Sequence, residues 1–495
     1  MSTQVAANRR KVLFGTTAFS AAWVLGLPMA LIPSAGNAQP TSMPTFKPAS
    51  FKEQLLYQRA FEAVLWALPA ADTLVMSRAR NERGMKEGAV FYFENRASGK
   101  TEVITFNNQT PYVFGTLSTR NGPIVFDVPA AGAKAKFSGT IFDLWYFPME
   151  DIGPAGADEG KGAKYLVLPP DYKGDVPSGF IPLRSRTYDV HMLFRSIPAD
   201  EGDEGWRAAV AYAKTLKVYP LSDARAPRPT EFVDATNKPF SGTPHFDRSY
   251  FDYIDETVQN EPVIEHDKTM MGMLASIGIQ KGKPFKPDTE TSRILDRAAR
   301  DAKLYLINKM ETMEAFGEPF WPNRRWRQLR FTPEVVKTGA QWAFPDRVDY
   351  DERAYGWYYW GVGIQKRVGA AATYLANTQD SEGKVLDPAR TYRVRVPRDV
   401  PIDDFWELIA YSIQTRSYID TPANRIAVSS KTPNLQKNAD GSVDVYLGPR
   451  APAGKEPNWV STKPGEGYFL ALRFYGPQKA FYDRAWTPSD VEMIS

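Results

Sequence analysis

Cysteine is absent from the 495 residues, which excludes disulfides, thiolate nucleophiles and thiolate metal sites. Histidine is scarce. His191, His245 and His266 are far apart and form no His-x-x-x-His pair, so a zinc site would have to be assembled from distant segments with carboxylates. Long basic runs are missing as well, and with them the counterion release that nucleic-acid binding draws on. No Gly-x-Ser-x-Gly elbow occurs and no Ser-x-x-Lys stands at a helix start, so a serine hydrolase has no local motif, although triads are defined by geometry rather than chain order. "GPAGADEGKGAK" (153–164) has glycines and lysines without phosphate-loop spacing and reads as a surface loop. No metal, no cofactor and no nucleic-acid partner are expected.

Acidic residues are also missing from positions 1–38, and what is there instead has the layout of an export leader: Arg9, Arg10 and Lys11, an apolar stretch from about Ala18 to Ile32, and the small-residue ending Gly36-Asn37-Ala38. Gly26 and Pro28 interrupt an apolar stretch already shorter than the roughly 20 residues of a membrane span. Removal after Ala38 is therefore expected, with no stable membrane anchor afterwards. The paired arginines of "NRRKVLFG" point to the twin-arginine route and a periplasmic protein; a Sec signal with two adjacent arginines is the alternative. Losing the three cations takes the basic count from 61 to 58, against 57 acidic residues, so the mature chain is close to neutral.

The hydrophobic pattern changes along the chain. "FKEQLLYQRAFEAVLWAL" (51–68) has helical spacing and runs into Pro69, predicting one amphipathic helix in an N-terminal segment of residues 39–70. "PIVFDVP" (123–129), "TIFDLWYF" (140–147), "KYLVLP" (164–169) and "TYDVHMLFR" (187–195) predict short strands of a first β domain, residues 71–200. "EGWRAAVAYAKTL" (204–216) and "TSRILDRAARDAKLYLINKMETM" (291–313) are helical, within a proline-rich connector of residues 201–367. Strands return in a second β domain, residues 368–495, with "RTYRVRVP" (390–397), "DVYLG" (444–448) and "GYFLALRFYG" (467–476). "NADGSVDVYLGPR" (438–450) spaces oxygen side chains as calcium loops do, but no register puts glycine sixth and glutamate twelfth, so it predicts a hairpin turn at Asp440-Gly441.

The same segment, continued through "APAGKEPNWVSTKPGEGYFLALRFYGP" and "DRAWTPSDVE", closely resembles the C-terminal part of bacterial proteins that pair domain of unknown function 1254 with domain of unknown function 1214. "VPIDDFWELIAYSIQTRSYIDTPANRIAVSS" (400–430) looks like the start of that second domain. "TFNNQTPYVFGTLSTRNGPIVFDVP" (105–129) and "GKGAKYLVLPPDYKGDVPSGF" (160–180) are similar to the first, and "EPVIEHDKTMMGMLASIGIQKGKPFKPD" (261–288) to its connector. The resemblance implies a mainly β (α+β) protein with two jelly-roll-like β-sandwich domains joined by helices. Many relatives carry export signals, and no settled activity comes with the family. Many also carry an Asp-Thr pair after the asparagines, where "NNQTPY" has Gln109, so a role resting on that acid does not transfer.

Candidate chemistry comes from single segments. Alternation in "TYDVHMLFR" puts Tyr188, Val190, Met192 and Phe194 on one face and Thr187, Asp189, His191 and Arg195 on the other. His191 with Asp189 is the candidate general base and its orienting acid; a solvated or helix-covered polar face is the alternative. In "AYGWYYWGVG" (354–363), Trp357 and its neighbours suit a stacking wall for a ligand, the core, or a subunit interface, which leaves a homo-oligomer open. Asn107, Tyr112, Tyr411, Asn424 and Arg425 complete the candidate ligand-contacting set, with a turn and salt bridge as the plainer reading of Asn424-Arg425. His245 reads as a surface-loop residue and Glu265-His266-Asp267 as a helix start. Two functions fit: a hydrolase acting on a small or oligomeric organic substrate in a cleft between the β domains, or a non-catalytic protein that binds a ligand or partner through aromatic surfaces.

Overall fold

Ser50 starts the helix that organises the molecule. Its hydroxyl accepts the Glu53 N–H at 3.2 Å while the Glu53 carboxylate accepts the Ala49 N–H at 2.9 Å, an arrangement close to a capping box. The helix that follows, α1 (Phe51–Glu82), does not stop at Pro69 and is not amphipathic. From Ala63 to Met76 every residue is buried, as expected of a helix apolar on all sides. Proline removes the donor that would meet the Leu65 carbonyl and disturbs the preceding turn, and carbonyls on either side of Leu65 take side-chain donors: Arg353 Nη2 donates to that of Trp66 at 2.5 Å and Tyr250 Oη to that of Val64 at 3.2 Å, while Thr73 Oγ1 donates to that of Pro69 at 2.9 Å. By length and composition α1 could cross a bilayer, but most of its apolar window is buried in the protein.

The computed structural model describes residues 41–42, 45–86, 88–200, 202–236, 240–328, 332–360, 366 and 372–495. The expected leader, residues 1–38, lies outside them. Helices α2 (Tyr250–Asn260), α3 (Thr289–Glu311) and α4 (Tyr350–Trp360) pack on α1.

The architecture is mostly β, in sandwich-like layers. In the first region β1 (Tyr112–Ser118), β2 (Ala135–Asp143) and β3 (Asp189–Pro198) form the middle of a six-stranded sheet, with β3 between the other two. One face carries Val190, Met192 and Phe194 into a core shared with a four-stranded sheet, where Phe126 meets Phe194 edge-on at 6.1 Å. The opposite face lies under α1, where Thr116 Oγ1 donates to the Thr73 carbonyl at 2.9 Å. Strands Lys217–Pro220 and Phe232–Asp234 join these two sheets, so the first β region reaches past the expected boundary at residue 200.

In the second region β4 (Ala372–Asn377), β5 (Trp406–Ser412) and β6 (Tyr468–Tyr475) make the middle of a five-stranded sheet, with β6 between β4 and β5. Alternation divides it between two cores. Leu408, Ala410, Leu470 and Leu472 pack with Val394, Val445 and Leu447 of a four-stranded sheet, while Ile409, Tyr411, Phe469 and Ala471 join the core around α1. The expected turn at Gly441 is present, with φ of 83°, but it is not a hairpin. The strand it opens, Val443–Gly448, pairs with Tyr392–Val396 and Trp459–Ser461, because long-range burial of Val443, Val445 and Leu447 decides the partner rather than the turn.

Candidate functional site: a cleft between the two β regions

Sheet register sets two rows of side chains against each other. Antiparallel partners share a face, so Tyr112, Arg195 and Ser138 line up across β1, β3 and β2. Tyr374, Arg473 and Glu407 line up in the same way across β4, β6 and β5. Between the rows the segment Thr105–Gln109 ties one region to the other. Arg473 Nη2 donates to the Thr105 carbonyl at 2.7 Å, Tyr411 Oη to that of Phe106 at 2.7 Å, and Gln109 Nε2 to Glu407 Oε1 at 3.2 Å. Outside this junction opens a cleft of about 1150 Å³ whose lining includes Gln109, Ser138, Arg195, Trp206, Tyr374 and Tyr475.

Charge is distributed unevenly over these groups. Glu407 is fully buried, and burial pushes its carboxyl up, opposed by the Arg473 guanidinium and the Gln109 amide. Arg473 and Glu407 approach to 3.9 Å. Arg195 is treated differently: its Nε donates to Tyr112 Oη at 3.0 Å, and among the described residues it has no carboxylate partner and its terminal nitrogens make no hydrogen bond. Tyr112 Oη also receives Asn107 Nδ2 at 2.9 Å, which fixes the ring under Arg195. The Tyr475 hydroxyl is buried without a hydrogen-bond partner among the described residues, and burial pushes its pKa well up, so it remains a neutral donor.

The predicted residues separate. His191 is 2 % exposed, on a face that is covered by the helix α1 and not by solvent. Because the Thr116 hydroxyl has one hydrogen and gives it to the Thr73 carbonyl, the contact of 3.0 Å to His191 Nδ1 makes that nitrogen the proton carrier. The ring stacks on Tyr146 at 4.9 Å, and burial lowers its pKa to about 3. Asp189 does not orient it, and no hydrogen bond joins the two side chains. Residues two apart on a strand stand almost 7 Å from each other, and each finds a nearer neighbour. Asp189, its own carboxyl pushed up by burial, lies instead beside Glu261, whose carboxylate accepts the Tyr188 and Asp189 N–H groups at 2.6 and 3.0 Å.

His191, Tyr112 and Trp357 do meet, around a small internal cavity of about 30 Å³ behind Arg195. Trp357 donates its indole N–H to Asp72 and packs on Tyr146 at 4.3 Å. Tyr358 and Tyr359 are buried in the core with hydroxyls on the Ile413 and Leu306 carbonyls. Asn107 lines the large cleft, where its Oδ1 accepts the Gln109 and Thr110 N–H groups at 2.9 and 3.1 Å and shapes the loop. Tyr411 is buried beneath it, stacked on Tyr418 at 5.6 Å. Asn424 and Arg425 are not brought to the cleft: Asn424 takes a φ of 47° in a turn, and Arg425 Nη2 donates to the Glu456 and Pro457 carbonyls at 2.9 Å.

Family models described as Protein of unknown function (DUF1254) and Protein of unknown function (DUF1214) match residues 89–220 and 371–479. The chain carries both domains, in that order. The crystal structure of the VPA0106 protein from Vibrio parahaemolyticus is similar in fold, with 17% identity and a TM-score of 0.53 over 89% of this chain and 100% of that one. A crystal structure of an uncharacterized protein from Burkholderia cenocepacia is a weaker match, with 12% identity and a TM-score of 0.36 over 90% and 96% of the two chains. No curated protein matches.

Both matched regions line the cleft, DUF1254 with Ser138 and Arg195 and DUF1214 with Tyr374 and Tyr475, while Tyr112, Glu407 and Arg473 belong to the same strand rows without lining it. Of these, Tyr112 was an expected ligand contact and Arg195 was named only as part of a strand face, while Ser138, Glu407, Arg473, Tyr374 and Tyr475 escaped the sequence reading. A signal was available: Glu407 and Arg473 interrupt strands that are otherwise apolar and aromatic, and a charge inside such a strand must be paired or buried at cost.

Proposed function

We propose that this is an exported binding protein whose ligand, a small or oligomeric organic molecule, occupies the cleft between the DUF1254 and DUF1214 regions. The observation that carries the reading is a cleft of about 1150 Å³ lined by Ser138 and Arg195 of one register-defined row and by Tyr374 of the other, larger than an ordinary small-molecule pocket and partly aromatic. A hydrolase has less support, because none of the three histidines lines the cleft and His191 sits under α1. Export rests on the leader, and Arg9→Lys with Arg10→Lys should hold the precursor in the cytoplasm.

Ser138 provides the test. It lies opposite Arg195 on the neighbouring strand and lines the cleft, so Ser138→Trp would fill the space without touching the core. Compounds from an ester, amide, glycoside and organic-acid panel that raise the melting temperature of the native protein should lose their effect on the folded variant. Undiminished stabilisation of Ser138→Trp would place the ligand elsewhere.

A further inference from the structure

Arg195 differs from Arg416 and Arg473 in what answers its charge. Arg416 is held by Asp72 through two contacts of 3.0 Å, and Arg473 stands 3.9 Å from Glu407. Arg195 has Tyr112 Oη alone, and among the described residues no acid answers it. A guanidinium presents parallel N–H groups that match a carboxylate, and an unanswered charge in a partly buried place gains most from a counter-ion. Two buried acids of the neighbourhood are already engaged, Glu407 by Gln109 and Arg473 and Asp72 by Arg416 and Trp357. Lys136, exposed two residues before Ser138 on the same strand face, adds positive charge to the lining. The acids there do not cancel it at depth: Asp203 is paired with Arg96 at 2.7 Å, and Asp200 and Asp404 stand exposed at the mouth.

We infer that the cleft takes organic acids with an apolar or aromatic body, the carboxylate held by the free N–H groups of Arg195 with the Tyr475 hydroxyl as a further donor, and the body lying along Trp206 and Phe405. The inference rests on the cleft being the binding site and adds the ligand's chemical class. The probes are benzoate, phenylacetate and naphthoate, each beside its neutral amide, titrated at pH 7.5 in low salt by calorimetry and by tryptophan fluorescence. At least one acid should bind about ten-fold or more tightly than its amide, the range of a charge-assisted hydrogen bond. Arg195→Gln should remove that preference while Arg195→Lys keeps part of it. Because Arg195 pairs with no acid among the described residues, neither change strands a described carboxylate. Equal affinity of acids and amides in the native protein, absence of binding by both included, overturns the inference, as does a preference that survives Arg195→Gln. The cleft reading fails separately: it falls if Ser138→Trp leaves acid and amide binding unchanged, and it stands if that variant blocks amides that bind as well as acids.

Discussion

Replacing Asp72 by asparagine should be among the most costly isosteric changes in the protein. Asp72 lies on α1, and its carboxylate takes Arg416 Nη1 and Nη2, each at 3.0 Å, as well as the Trp357 indole N–H. Both side chains of the ion pair are no more than 2% exposed, and they join residues 344 positions apart. Asp72→Asn keeps the shape and removes the charge, leaving the Arg416 guanidinium buried without its counter-ion under the Tyr358 ring, 4.6 Å away. Breaking one side of a buried pair costs about 3–5 kcal/mol, a large share of the roughly 5–15 kcal/mol that holds a typical domain together. Urea unfolding followed by far-ultraviolet circular dichroism measures it, as a lowered midpoint at constant slope. The double variant Asp72→Leu with Arg416→Met removes both charges and should lie well above the single variant in stability, because an apolar replacement of a buried pair is often neutral. A loss below about 1 kcal/mol for Asp72→Asn, or a double variant no better than the single, would refute the claim that this pair ties α1 to the second β region.

His191, buried with its pKa lowered to about 3, resists a proton that the unfolded chain accepts near 6.5. Stability should therefore be complete above that value and fall by up to about 1.4 kcal/mol per pH unit as pH drops below it, and His191→Asn, which keeps a donor toward Thr116, should flatten that slope in a pH series of urea titrations. Glu261 acts in the opposite direction: burial and the neighbouring Asp189 carboxylate raise its pKa from 4.5 to about 7, so its folded form holds a proton that the unfolded chain has lost. Its contribution is present at low pH and declines by up to about 1.4 kcal/mol per unit as pH rises from 4.5 through 7, and Glu261→Gln should abolish that decline. Gln109→Glu would set a second carboxylate against Glu407; it should cost on the order of 2 kcal/mol at pH 8 and less as pH falls and one of the two takes a proton.

The elements that could be read from the sequence were those decided locally. Short runs rich in β-branched and aromatic residues predicted the strands Ile124–Val128, Tyr392–Val396 and Tyr468–Tyr475, and helical spacing predicted Thr289–Glu311, because each signal lies within the segment itself. Pro69 misled, since a proline's cost is local but the burial that holds the helix together around it, with Tyr250 and Arg353 bonding the neighbouring Val64 and Trp66 carbonyls, comes from distant helices. The His191–Asp189 pairing misled for a related reason: sharing a strand face is a weaker bond than the cross-strand neighbour, and Thr116 became visible only with the register. The cleft itself was expected between two β regions, but its floor depends on contacts such as Gln109 with Glu407, 298 residues apart, which no periodicity reports.

The central claim, that this cleft is where a ligand binds, is tested most directly by photolabelling with azidobenzoate and mapping the adducts by mass spectrometry. Labels on residues lining the cleft, such as Trp206, Tyr374, Phe405 and Tyr475, suppressed by excess benzoate and lost in Ser138→Trp, are the predicted result. Labelling scattered over the surface, or concentrated away from these residues and indifferent to benzoate, would contradict it.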